Sequence, residues 1–288
     1  PAGAPGAIRM NLTSVTRLAA RLDSPGLRIV DTRAVLADPD AGRAAFRAAH
    51  IPGAVFADLN ADLSAGKSDP RLGRHPLPGA AQFSALLSRL GITPDTEIVV
   101  YDQNDASMAA SRFWFLMRLA GHARVSVLDG GMDDWLAAGL PVNALEADLP
   151  ASVYPVSFGK DFLIAEDALK SILKSGRAAL LDARALGRFR GEMEPIDKKA
   201  GHIPGALSRP YSQNLAGGKF KSAGQLRSEF RSLIRDRKDI VLSCGSGVTA
   251  CHNALALSIA GIEHWRLYAP GWSGWVADDT NPIATGDT

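Results

Sequence analysis

Cysteine is nearly absent from this sequence: 288 residues contain only Cys244 and Cys251. Two cysteines so close together cannot staple a disulfide-framed domain. With the histidines dispersed, no metal site and no cofactor are expected. Long apolar runs are missing too. A stretch such as Phe113 to Ala120 is far short of the ~20 residues that span a bilayer, so no membrane partner is expected. Neither sign of charge dominates, with 32 Lys and Arg against 30 Asp and Glu and a net charge of +2. The basic residues are scattered rather than striped, which removes the electrostatic case for a nucleic-acid partner. The segment Pro1-Ala2-Gly3-Ala4-Pro5-Gly6 lacks the charged-then-apolar order of a secretory signal, and a cytoplasmic protein is expected. What remains is an ordinary globular composition, 46% hydrophobic and 22% charged, long enough for two domains with a core each.

The chain repeats itself. Ile29-Val30-Asp31-Thr32-Arg33 recurs as Leu180-Leu181-Asp182-Ala183-Arg184, and His50-Ile51-Pro52-Gly53-Ala54 as His202-Ile203-Pro204-Gly205-Ala206. Glu97 to Asp102 corresponds to Asp239 to Cys244, and Val127 to Trp135 to Leu267 to Trp275. Offsets near 140–152 residues that drift along the chain are those of a duplicated domain with altered loops. The break falls between Pro141 and Gly159, where apolar periodicity lapses and Pro141, Pro150 and Pro155 cluster. Within each half, short β-branched runs alternate with helical patterns, such as Ser111 to Ala120 before Gly121 and Ala250 to Ala260 before Gly261. The expected fold class is α/β, with a mostly parallel sheet in each half covered by helices on both faces. In such folds ligands bind beyond the C-terminal ends of the strands.

Cys244 stands at such an end. It follows the strand pattern Asp239-Ile240-Val241-Leu242-Ser243 and opens the loop Cys244-Gly245-Ser246-Gly247-Val248-Thr249-Ala250, which leads into a helix. Backbone N–H groups and the positive end of the helix dipole both favour an anion there, hence thiolate over thiol. The glycines keep Cβ atoms out of a loop that must approach its ligand closely and adopt unusual φ values. The matching position in the first half is Asp102, so only the second half can supply a sulfur nucleophile. Phosphate-ester chemistry on the same architecture needs an arginine six residues after the cysteine, and that position is Ala250. Cys251, on the helix, reads as a small buried residue.

On these residues the chain resembles the tandem-domain rhodanese family of sulfurtransferases, from about Ile8 to Pro282. The His-Ile-Pro-Gly-Ala and Asp-x-Arg repeats mark both halves, and the Cys244 loop looks like that of the 3-mercaptopyruvate sulfurtransferase branch. The thiosulfate-preferring branch more often carries basic residues after the cysteine. The resemblance implies a non-catalytic domain over residues 8–145, a linker over 146–160 and a catalytic domain over 161–285. It implies that Cys244 takes a sulfur atom from a small anionic donor, 3-mercaptopyruvate or thiosulfate, and holds it as a persulfide. The acceptor is then a thiol, on a small molecule or a thioredoxin-like protein, or cyanide in an assay. The N–H groups of Gly245, Gly247, Val248 and Thr249 would cradle the anionic sulfur. Arg188 is the position that the family uses to hold the donor's anionic end, with Arg184 as an assistant or, since Arg33 repeats it, a structural ion pair. Ser246 and His75 match a proton-handling pair of the mercaptopyruvate branch.

The chain departs from the family pattern twice. Ile196 follows Glu194-Pro195 where a second donor-binding arginine is common, leaving Lys198 and Lys199 as substitutes or a single guanidinium as the grip. Asn60 stands where a carboxylate would support His75, with Asp62 as the alternative. His50, His202, Trp135 and Trp275 recur in both halves and read as structural, the two tryptophans as packing between domains.

Overall fold

The computed structural model describes residues 11–66 and 69–287; the expected domain start at residue 8 and the stretch Pro1 to Gly6 lie outside them. Two parallel sheets are built from the repeated segments. The first contains β1 (Leu12–Thr13), β2 (Leu27–Asp31), β3 (Val55–Phe56), β4 (Glu97–Tyr101) and β5 (Val125–Leu128) in the order β1-β5-β4-β2-β3. The second contains β6 (Ala178–Asp182) and β7 (Ala206–Ser208), then, past a two-stranded hairpin of β8 (Leu215–Ala216) and β9 (Lys219–Phe220), β10 (Asp239–Ser243) and β11 (Arg266–Leu267). Its order, β11-β10-β6-β7, reproduces β5-β4-β2-β3 of the first. All strand pairs within the two main sheets are parallel. The central strands are apolar almost throughout because helices cover both faces.

In each sheet the chain passes from a central strand (β2, β6) to the edge strand beside it (β3, β7) and returns on the other side of the central strand (β4, β10), so the crevice between β6 and β10 is a switch point of the topology. Cys244 opens the loop at the end of β10, and Arg184 lies in the one at the end of β6.

The helix Ala109–Leu119 is buried along its entire length, and Thr249–Ile259 is buried from Ala250 to Ser258. A helix without a polar face must be surrounded. The two pack against each other, and one apolar cluster runs through both halves. The tryptophans that join the domains are Trp114 and Trp265, whose ring centroids lie 6.5 Å apart. Trp135 and Trp275 do not pack there: each sits in its own domain's outer core and donates its indole N–H to a local carbonyl, of Pro141 and Pro282 respectively. Their recurrence reflects the repeated domain core, not the interface. The connecting segment is docked along the first domain, with Gly159 N–H bonded to Leu119 O and Tyr154 OH beside His122 Nδ1. No helix among the described residues is long and apolar enough to cross a membrane.

Candidate active site

Cys244 is 1% exposed at the floor of the interdomain crevice. Its carbonyl accepts the N–H of Trp272 at 2.7 Å and the carbonyl of Gly245 accepts that of Ser273 at 2.9 Å, pinning the loop to the following turn. Among the described residues the N–H groups of Gly245, Ser246, Gly247 and Val248 donate to no protein acceptor and remain available as an anion cradle. The two glycines serve different ends. Gly247 has φ +74°, and a Cβ there would collide with the carbonyl of Ala269. Gly245 has ordinary φ, but a Cβ would lie 2.9 Å from Arg74 Nη2 and 3.6 Å from both terminal nitrogens of Arg188. Its hydrogen leaves room for two guanidiniums above the loop.

These two arginines come from different domains and share one carboxylate. Arg188, on the short helix Leu186–Arg190, donates Nε and Nη2 to Glu194 at 2.8–3.1 Å and Nη2 to Asp197 at 3.0 Å. Arg74 donates Nη1 to the other oxygen of Asp197. Burial pushes the Glu194 carboxyl up, but hydrogen bonds from Arg188 and from the Asp197 and Ile196 amides outweigh it and hold the group below its ordinary value. Nη1 of Arg188 and Nη2 of Arg74 donate to no other group among the described residues. Arg184 stands one layer back, 1% exposed, its donors taken by Asp182, the Gly201 carbonyl and Glu194. Arg33 makes the same bond to Asp31 in the first half, so the structural half of the expectation for Arg184 describes its contacts. Lys198 and Lys199 both turn to Asp279 and supply no second cation to the loop.

Ser246 and His75 meet across the domain boundary, with His75 Nδ1 2.8 Å from Ser246 Oγ and both residues buried. Asp62 is occupied by the Asp58 amide and Arg89. Asn60 lies with His75, Arg74 and Ile196 on the wall of a cavity of about 670 Å³, rimmed by the exposed Val35 and Leu36. Cys251 donates its thiol to the Gly247 carbonyl at 3.2 Å, and burial pushes it up to about 12, which keeps it protonated at neutral pH. His50 and His202 each bond a helix carbonyl through Nδ1, of Phe46 and Phe189, and stack on the same phenylalanine. No group of three potential ligands that could hold a metal ion occurs among the described residues.

Sequence reasoning missed Arg74 as a site residue, although it adjoins His75, because its partner Asp197 is more than a hundred positions away. It also missed Arg112, a fully buried arginine in a mostly apolar helix. Charge inside such a helix was the available signal.

The first half retains the loop without the thiol. Asp102 follows β4 and accepts the Ala106 N–H at 3.0 Å through Oδ1, with the Met108 and Ala110 amides also turned to its carboxylate. Its carboxylate fills the cradle that stays open around Cys244. Burial, then the neighbouring Asp105, push Asp102 up to about 7. A carboxyl raised on folding stabilises the protein below its unfolded value near 4, and that contribution is lost as pH rises through 7. Asp102→Asn is therefore expected to flatten stability against pH between 4 and 7 and to add about 2–4 kcal/mol at pH 8. Thermal melts across that range check it, and a variant that keeps the wild-type slope would contradict it.

A family model for the rhodanese-like domain matches residues 14–138 and again 165–278. The probable 3-mercaptopyruvate sulfurtransferase of Pseudomonas aeruginosa is 44% identical over 279 residues, 96% of this chain and 98% of that protein. The 3-mercaptopyruvate sulfurtransferase of Homo sapiens is 37% identical over 82% of this chain and 81% of its own. A putative thiosulfate sulfurtransferase, SseB of Mycobacterium tuberculosis, is 38% identical over 90% of each. The crystal structure of SseA from Escherichia coli, a 3-mercaptopyruvate sulfotransferase, matches with a TM-score of 0.82 at 30% identity, covering 91% of this chain and 99% of that one.

Proposed function

We propose, on the premise that the chain belongs to the rhodanese family and is a sulfurtransferase, that it takes sulfur from 3-mercaptopyruvate onto Cys244 and passes it to a thiol. The Cys244 thiolate attacks the donor sulfur, an S–S bond forms and the C–S bond breaks. The electron pair of that bond leaves as the enolate of pyruvate, and the donor's thiol proton ends on its carbon. Cys244 is left as a persulfide anion among the open amides of Gly245 to Val248. An acceptor thiolate, on a small molecule or a thioredoxin-like protein, removes the outer sulfur and regenerates the thiolate. Two reduced cysteines suit a reducing, cytoplasmic compartment.

The observation that carries the choice of donor is the 2.8 Å contact between His75 Nδ1 and Ser246 Oγ. Mercaptopyruvate needs a proton moved from sulfur to carbon, and a hydroxyl backed by an imidazole beside the nucleophile suits that transfer. Thiosulfate leaves as sulfite with no proton transferred, so the pair would have nothing to do. The donor carboxylate is held by the free guanidinium edges of Arg74 and Arg188 over Gly245, Arg74 standing in for the arginine that Ile196 replaces.

Steady-state rates with the two donors side by side test this reading. The wild type is expected to prefer mercaptopyruvate in kcat/KM. Ser246→Ala is expected to lower kcat with mercaptopyruvate by about 100-fold and to leave thiosulfate turnover within about threefold. Equal losses with both donors would remove the proton relay, and a preference for thiosulfate would overturn the donor.

A further inference from the structure

Beside the ion pair of Arg118 with Glu263 at 3.4 Å, the two buried interface helices each send one polar side chain to the other domain's strand-end loop, at matching places. Arg112 in Ala109–Leu119 and His252 in Thr249–Ile259 occupy the same helical position of the duplicated domain. Arg112 Nη1 donates to the Gly247 carbonyl at 3.0 Å, and His252 Nε2 donates to the Asp105 carbonyl at 3.0 Å. Gly247 is three residues past Cys244, and Asp105 three past Asp102. Each half thus holds the other half's loop through one carbonyl.

The difference lies in charge. His252 also accepts from Asn214 at Nδ1, which uses both ring nitrogens in the neutral form, and burial lowers it to about 4. Arg112 is permanently charged and fully buried; it donates to the carbonyls of Leu63 at 3.3 Å, Gly247 at 3.0 Å, His75 at 3.0 Å and Pro76 at 3.2 Å and lies beside the Cys251 thiol. Among the described residues no carboxylate pairs with it, and buried charges are ordinarily paired. The cations over the loop are already neutralised, Arg188 by Glu194 and Asp197, Arg74 by Asp197.

We propose that Arg112 is the positioning residue that the silent first domain contributes to the sulfur site. It holds the nucleophile loop at Gly247 and the base segment at His75–Pro76 in one frame. This rests on the reading of Cys244 as the sulfur carrier. In the first half the cradle carries its own carboxylate and no sulfur chemistry, and there the cross-domain contact is a neutral imidazole.

The test uses the full chain and compares kcat and KM for 3-mercaptopyruvate in Arg112 variants, with thermal melts to show that each variant is folded. Arg112→Lys keeps the charge but loses the fork. Its kcat should fall about tenfold while KM stays within about twofold of wild type, because one ammonium cannot hold Gly247 and His75 together. Arg112→Gln should lose at least as much kcat. A folded Arg112→Lys with wild-type kcat, or with its loss in KM instead, overturns the positioning role, and decides the matter if the glutamine variant does not fold. Failure of the sulfur-carrier reading is separable: it would leave Cys244→Ser active, whereas failure of the Arg112 role leaves Cys244→Ser dead and Arg112→Lys at wild-type kcat.

Discussion

Cys244→Ser is expected to abolish sulfur transfer while the protein keeps its fold. A hydroxyl at that position is not ionised at neutral pH, so neither the attack nor the persulfide survives, and the loss should reach at least about 10⁴-fold, the scale of removing a covalent nucleophile. Stability should change little, because oxygen replaces sulfur in a loop held by its own backbone through Trp272 and Ser273. The measurement is paired: thiocyanate production from thiosulfate and cyanide, and intact mass after donor treatment. Wild-type protein should gain one sulfur atom and the variant none. A variant that still gains it would move the chemistry to Cys251, the remaining thiol, which burial holds protonated at neutral pH.

The second large effect concerns the cation pair. Arg74→Ala is expected to raise KM for mercaptopyruvate by about 10- to 100-fold with little change in kcat, the loss of one charge-assisted hydrogen bond of about 1.5–3 kcal/mol. Arg188→Ala should raise KM by at least as much. It should also destabilise the fold, because it leaves Glu194, 4% exposed, without its principal cation. Arg74→Ala leaves Asp197 still bonded to Arg188, so it is the cleaner probe. An unchanged KM in Arg74→Ala would return the donor grip to Arg188 alone. Full recovery in Arg74→Lys would mean that charge suffices without the fork.

Much of this was legible in the chain itself. The strand β10, the thiol at its end, the glycines after it and the helix that follows are local. Their geometry is dictated by residues a few positions apart, and the repeat of the pattern with Asp102 in place of Cys244 isolates a single nucleophile. Even the pairing of Ser246 with His75 was reachable, through family resemblance rather than through spacing.

What escaped were contacts between residues brought together only when two domains close on each other. Arg74 has no meaning as a donor grip until Asp197 and Gly245 are beside it, and Arg112 looks like an interruption of an apolar helix until Gly247 and His75 lie at its tip. Trp135 and Trp275 recur because each domain needs the same core, while Trp114 and Trp265, which join the domains, repeat no motif. The sequence by itself determined the nucleophile, its loop and the duplicated α/β fold, because backbone conformation and apolar periodicity are local properties. The tertiary structure alone decided which charges surround the sulfur, because burial and pairing depend on neighbours the chain order does not name.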